Sequence, residues 1–180
     1  IFTRKSVIIG AYSDDTYSIG PHQEVMEFRN ELKSRFKLSM DGGECKKFLS
    51  MRFTNSPDHI KIDQDVYLNE KLQFFEKLIS DNPKLQVQSP LLPNFQDLIL
   101  TAEAETDTEP DFPYRAMVGS LVYLANGTRF DISAALSIVS RFNNNPKKTH
   151  CNMVRRIYQY LRGSRRSLVY KKGLNFVLNG

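Results

Sequence analysis

The sequence predicts an α+β fold from two kinds of pattern. Short runs of strand-forming residues are bounded by turn signals, and longer runs carry apolar residues three and four apart. With 180 residues, 41% hydrophobic and 25% charged, the chain can bury the core of one ordinary domain or two small ones.

Residues 6–20 read as two strands, VIIGAY and TYSI, joined through Ser13-Asp14-Asp15 as a β-hairpin. Pro21 then opens a helix, with Val25, Phe28, Leu32 and Phe36 spaced 3, 4 and 4 apart. Asp41-Gly42-Gly43 is a turn signal. Lys47 to Phe53 reads as one strand, which Asn55 to Asp58 turns back into His59 to Ile62. Leu68, Leu72, Phe75 and Ile79 mark a second amphipathic helix. Pro83, Pro90, Pro93 and Pro110 punctuate the next stretch, and TAEAETDTEPD within it shows no period, so 80–112 reads as a linker. Three helical patterns follow, at Tyr114–Leu124, Asp131–Phe142 and Thr149–Leu161, with Gly163 as the last one's stop. In that last helix Met153, Ile157, Tyr160 and Leu161 form one face, which leaves Arg155, Arg156, Gln159 and Arg162 to face outward. Leu168–Tyr170 and Asn175–Leu178 close the chain as a hairpin through Lys171-Lys172-Gly173. The expected organisation is therefore 1–79, a linker at 80–112, and a basic helical region at 113–180.

Charge is distributed unevenly. Up to Phe112 there are 13 Lys+Arg against 19 Asp+Glu, a balance of −6. From Pro113 onward there are 12 Lys+Arg against Asp131 alone, a balance of +11, and the two sum to the chain's +5. A 68-residue segment at +11 is suited to a polyanion, because cations that neutralise phosphates release condensed counterions. A solvated basic face is the plainer alternative.

Several function classes find no support. There is no apolar run long enough to span a membrane. Cys45 and Cys151 stand far apart without metal-ligand spacing, which argues against a disulfide framework or structural zinc and for a reducing compartment. The three histidines, His22, His59 and His150, share no ligand spacing. No glycine-rich phosphate loop or Ser/His/Asp signature is present. The chain opens at Ile1 in mid-pattern, without a charged-then-apolar leader, and reads as a piece of something longer.

Asp14-Asp15 is the sharpest local feature. Two adjacent carboxylates at a hairpin tip form a hard, oxygen-rich site suited to Mg²⁺, although such a pair also serves ordinary turn chemistry. In two-metal phosphoryl transfer the ions lie roughly 3.5–4 Å apart, and a further carboxylate from a neighbouring strand usually completes the cage.

Tyr12-Ser13-Asp14-Asp15, FKLSMDGGECKKFLSMRF, IKIDQDVYLNEKL and PYRAMVGSLVYLANGTRF follow one another in an order that resembles the reverse transcriptase of copia-type LTR retrotransposons. Tyr12-Ser13-Asp14-Asp15 is similar to that family's YVDD box. FKLSMDGGECKKFLSMRF and IKIDQDVYLNEKL resemble its segments leading into the thumb. PYRAMVGSLVYLANGTRFDISAALSIVSRF, NNNPKKTH and RRIYQYLRGS resemble its later blocks, so the likeness spans almost the whole chain.

The resemblance implies part of a polymerase palm followed by a mostly helical thumb and connection. It implies RNA-directed DNA polymerisation, with Mg²⁺, or Mn²⁺ in its place, held by Asp14 and Asp15. Tyr12 and Ser13 would form the active-site floor, and Phe48, Leu49, Ser50 and Met51 the primer-grip region. Arg115, Arg129, Arg155, Arg156, Arg162, Arg165 and Arg166 would contact nucleic acid. Implied partners are an RNA–DNA or RNA primer–template, deoxynucleotide triphosphates, and the fingers and RNase H portions of the Pol polyprotein, with no membrane. The implied location is cytoplasmic. The first catalytic carboxylate and the fingers would precede Ile1, and RNase H would follow Gly180. By itself this chain is then not expected to polymerise, which keeps open a non-catalytic nucleic-acid-binding module or a decayed fragment.

Four positions depart from the family pattern: Ser13 for an apolar residue, Ser50 for Gly, Phe130 for Pro and Cys151 for Trp. Arg115 and Arg129 can either meet phosphate or pair with Asp131 or a helix C-terminus. Tyr114, Tyr123 and Tyr160, at helical spacing, read as core before base-stacking. The cysteines read as small buried residues.

Overall fold

The computed structural model describes residues 1–37, 45–79 and 87–172. The fold is α+β, as the sequence predicts, and it divides into two compact units, Ile1–Leu49 and Ser50–Gly180.

In the first unit β1 (Phe2–Arg4), β2 (Val7–Tyr12) and β3 (Asp15–Ile19) form an antiparallel meander with β2 in the middle. Side-chain alternation along β2 buries Val7 and Ile9 and leaves Ile8 between them exposed. Helix α1 (His22–Arg35) follows Pro21, whose fixed φ of −55° suits entry into a helix. Its acids Glu24, Glu27 and Glu31, at i, i+3 and i+7, hold the turn between β1 and β2. Glu24 Oε2 accepts the Ser6 N–H at 3.0 Å, Glu27 Oε2 lies 3.3 Å from Lys5 Nζ, and Glu31 pairs with Arg4. Gly20 is needed close by, since a Cβ there would stand 2.9 Å from the Ser6 carbonyl oxygen. β4 (Lys47–Phe48) ends the unit, with the Phe48 ring 5.7 Å from that of Tyr17.

The second unit begins with β5 (Met51–Asn55) and β6 (His59–Asp63), joined by a tight turn. Its helices are α2 (Asp65–Phe74), α3 (Glu76–Ile79), α4 (Phe95–Glu103), α5 (Tyr114–Gly127), α6 (Ser133–Ser140) and α7 (Lys148–Gly163). A 3₁₀ turn at Phe130–Ile132 leads into α6. β7 (Leu168–Lys171) then returns to pair antiparallel with β6, from Ile62↔Leu168 to His59↔Lys171. The core joins Leu68, Leu72, Phe75 and Ile79 to Met117, Leu121 and Leu124 of α5, Ala135 and Val139 of α6, and Val154, Ile157 and Leu161 of α7. Gln64, just before α2, is a buried polar pin. Its Oε1 accepts the Thr128 N–H at 2.8 Å and the Thr128 hydroxyl at 2.9 Å, and its Nε2 donates to the Tyr123 carbonyl at 3.2 Å. Gly127 has to lack a side chain there, because a Cβ would fall 2.3 Å from Gln64 Oε1.

Several expectations change in detail. Lys47 to Phe53 is not one strand: Leu49 and Ser50, at φ 49° and 57°, break it into β4 and β5. The helix through Ile79 is interrupted at Phe75. Within 80–112, read as a linker, Phe95–Glu103 is a helix, and its buried Ala102 shows that the segment is packed. The compact units part at Leu49/Ser50, so residues 50–79 and 113–163 share one core. Strand β1 was not anticipated. Asp41-Gly42-Gly43 and the strand at 175–178 lie outside the described residues.

Candidate functional site

The hairpin of β2 and β3 sets the geometry of Tyr12-Ser13-Asp14-Asp15. Tyr12 pairs with Asp15, so Ser13 and Asp14 alone make the reversal. Ser13 sits at φ 50°, in the left-handed region that costs an L residue roughly 1–2 kcal/mol. A small polar side chain tolerates this better than a β-branched one. The pairs Ile8↔Ile19, Gly10↔Tyr17 and Tyr12↔Asp15 share the face opposite Val7 and Ile9. Asp15 is therefore placed on the same sheet face as Tyr12, whereas Asp14 is placed by the turn. All four residues are exposed.

Two exposed carboxylates suit a hard cation in chemical kind. Mg²⁺ is often held by one or two carboxylates with water and substrate phosphate completing its shell. Among the described residues no group of three His, Cys, Asp or Glu side chains gathers here or elsewhere, so Asp14 and Asp15 supply two ligands.

In the segment Phe48-Leu49-Ser50-Met51, Leu49 and Ser50 both have positive φ, the signature of a type I′ reversal that favours glycine. Ser50 is where the resembling family has Gly, and its φ of 57° gives a backbone reason for that preference.

The arginines after Pro113 have different fates. Arg129 is 2% exposed and turned inward: its Nε and Nη2 donate to Asp131 at 2.9 and 2.8 Å. Tyr160 Oη adds a third donor to Asp131 at 2.7 Å. Burial works to raise the Asp131 pKa, but the bonds from Arg129 and Tyr160 prevail and hold the carboxyl below its ordinary value. Arg129 thus takes the ion-pair alternative, and Arg115 takes the helix-end one: its Nε donates at 2.9 Å to the Asn143 carbonyl just beyond α6. Arg155, Arg156 and Arg162, expected to face outward, are partly buried. Arg155 is bound to Glu109 and to the Leu78 carbonyl. Arg156 Nε and Arg162 Nη1 are buried with no hydrogen-bond partner among the described residues. These side chains reach over a surface that the neighbouring elements partly cover, which spacing along α7 alone cannot reveal. Arg165 and Arg166 are exposed, with Arg166 3.6 Å from Asp131. Arg141, beside Phe142, is a further exposed cation that the sequence reading did not single out.

The aromatic and cysteine expectations can also be placed. Tyr114 and Tyr160 are buried, and Tyr114 Oη donates to the Val139 carbonyl at 2.8 Å. Tyr123 is half-buried, with its ring 4.4 Å from that of Tyr67. Cys151 is buried, which pushes its thiol up to about 11, whereas Cys45 is only partly buried. His150 is stacked on Phe142 with ring centroids 3.7 Å apart, and its Nδ1 accepts the Lys147 N–H at 3.0 Å.

No protein-family profile matches the chain, and no solved structure matches it. Curated relatives do. The retrovirus-related Pol polyprotein from transposon TNT 1-94 of Nicotiana tabacum is 29% identical over 97% of this chain and 13% of its own length. A transposon Ty5-1 protein of Saccharomyces cerevisiae is 28% identical over 96% of this chain and 54% of its own length. The retrovirus-related Pol polyprotein from transposon RE1 of Arabidopsis thaliana is 31% identical over 80% of this chain and 9% of its own length. The chain thus spans about half of one of these relatives and a small part of the other two, and these three, at modest identity, are proteins of transposons, two of them Pol polyproteins.

Proposed function

We propose that this chain is part of the RNA-directed DNA polymerase of a copia-type retrotransposon, with Asp14 and Asp15 as two ligands of its Mg²⁺ site. One observation carries the reading: two adjacent exposed carboxylates stand at a two-residue reversal between strands, in a chain whose relatives include transposon Pol polyproteins. When bound, Mg²⁺ would activate the primer hydroxyl and steady the leaving oxygen of the incoming nucleotide. The chain's own residues do the holding and placing. Ser13 turns the backbone so that both carboxylates project, and Tyr12 lies beside Asp15 as part of the floor. The reversal at Leu49-Ser50 belongs to the primer-grip region.

Phosphate contact falls to Arg165 and Arg166, with Arg141 beside them in role, rather than to the inward-facing Arg129. The test is Mg²⁺-dependent primer extension by a chain lengthened upstream to include the first carboxylate strand. Asp14→Asn abolishes extension on this reading, and extension that survives it overturns the metal assignment. The exposed Arg165 and Arg166 favour one second reading, a non-catalytic nucleic-acid-binding module, because they do not depend on the hairpin. In that case Asp14→Asn leaves primer–template affinity unchanged and no lengthened chain extends a primer.

A further inference from the structure

The acidic stretch between α4 and α5 lies along the basic helix α7. Glu105, Asp107, Glu109 and Asp111 alternate with uncharged residues, and 105–109 is neither helix nor strand. Carboxylates at every second residue of an extended chain stand about 6.6 Å apart, a ladder comparable with the phosphates of a nucleic-acid strand.

Each rung but the last meets α7. Glu105 Oε2 accepts the Thr149 N–H at 3.1 Å, in the helix's first turn. The Asp107 carbonyl accepts the Lys148 N–H at 3.1 Å, and Asp107 Oδ2 stands 3.5 Å from Lys148 Nζ. Glu109 takes the fork of Arg155, with Nη1 donating to Oε1 at 2.9 Å and Nη2 to Oε2. Arg155 is held independently of that pair. Its Nε donates to the Leu78 carbonyl at 2.8 Å, and its guanidinium lies 4.5 Å from the Phe112 ring centroid. If Glu109 leaves, the fork stays in place and becomes available to another anion.

We propose that this strap is an internal competitor for polyanions: it occupies the first half of α7, and nucleic acid gains Lys148 and Arg155 only when the strap is displaced. The inference rests on the nucleic-acid reading above. It makes the basic charge of 113–180 partly latent, with the chain's own acids as its resting occupant.

The test compares the unaltered chain with Glu105→Gln/Asp107→Asn/Glu109→Gln, which keeps the shapes and removes the charges. Each is titrated with an RNA–DNA primer–template duplex across a salt series. With two cations released, the variant binds on the order of tenfold tighter at roughly 0.1 M salt. Its log affinity falls more steeply with log salt, by about 1.8 in slope. Equal or weaker binding by the variant, while the unaltered chain binds, overturns the strap and leaves the nucleic-acid reading standing. If neither binds, the nucleic-acid reading falls and the strap inference with it. A second measurement needs no variant: duplex accelerates cleavage of the unaltered chain after Glu105, before Thr106, by a glutamate-specific protease. Unchanged or slowed cleavage overturns the proposal.

Discussion

In Ile1–Leu49 the buried apolar side chains among the described residues are Val7 and Ile9, and no residue of α1 is buried. In Ser50–Gly180 helices α2, α3, α5, α6 and α7, with the 3₁₀ turn, converge on a continuous core that includes Leu121, Ile132, Val139 and Ile157, each fully buried. The first unit fixes its helix to its sheet through Glu24, Glu27 and Glu31 at the surface, where water and salt weaken every pair. The second buries its polar ties, as with Gln64 and with Arg129 on Asp131. The difference teaches where chemistry and stability reside in this chain. The candidate carboxylates sit on the thinly packed unit, and the unit with the deep core carries most of the cations.

Three perturbations would break or sharpen that contrast. The largest is Arg129→Ala, which strands a partly buried carboxylate and should cost the second unit about 3–5 kcal/mol in denaturant unfolding. A loss under about 1 kcal/mol would mean that Asp131 finds adequate solvent without its partner.

Acid is the next probe. Burial lowers the His150 pKa below its ordinary value of 6.5, so the folded chain holds the ring neutral while the unfolded chain takes up a proton first. His150 should therefore leave stability unaffected above about pH 7.5 and erode it as pH falls through 6.5 toward its lower folded value. Protonation would also remove the Nδ1 lone pair that accepts the Lys147 N–H. His150→Gln should remove that part of the pH dependence in thermal melts, and an unaltered acid limb would show that it arises elsewhere. The smallest effect is Glu31→Gln, which removes the carboxylate facing Arg4 and Arg35. Amide exchange in α1 should quicken slightly at low salt and match the unaltered chain at high salt. Equal loss at both salt levels would argue for packing rather than charge.

How well each element could be read from sequence follows its physics. Helices α5 and α7 were legible because apolar residues recur over three or more turns and Gly163 ends the second one. The Asp14–Asp15 hairpin was legible from strand formers around an acidic turn. Helix α4 was not, because Pro90, Pro93 and the acidic run after it masked the brief period of Phe95, Ile99 and Ala102. β1 was missed because all three of its residues are exposed and carry no alternation. The charge count found the basic segment. It missed the acids at 105–109 bound to it, since a sum over sequence carries no information about pairing in space. The positive φ at Ser13, Leu49 and Ser50 was equally hidden, as none of them is glycine.

The return of β7 to β6 also determines how the second unit carries load. Its first strand and its last lie on opposite sides of β6, both antiparallel to it, so they run parallel to each other. Arg52 stands opposite Asp63 at one end of the ladder, and Lys171 stands opposite His59 at the other. Tension applied through Met51 and Lys171 therefore acts along the strands, at right angles to the hydrogen bonds between them. The rungs share such a pull and must shear together instead of unzipping one after another. Joined to neighbours at both ends, this unit would resist stretching better than its small sheet suggests.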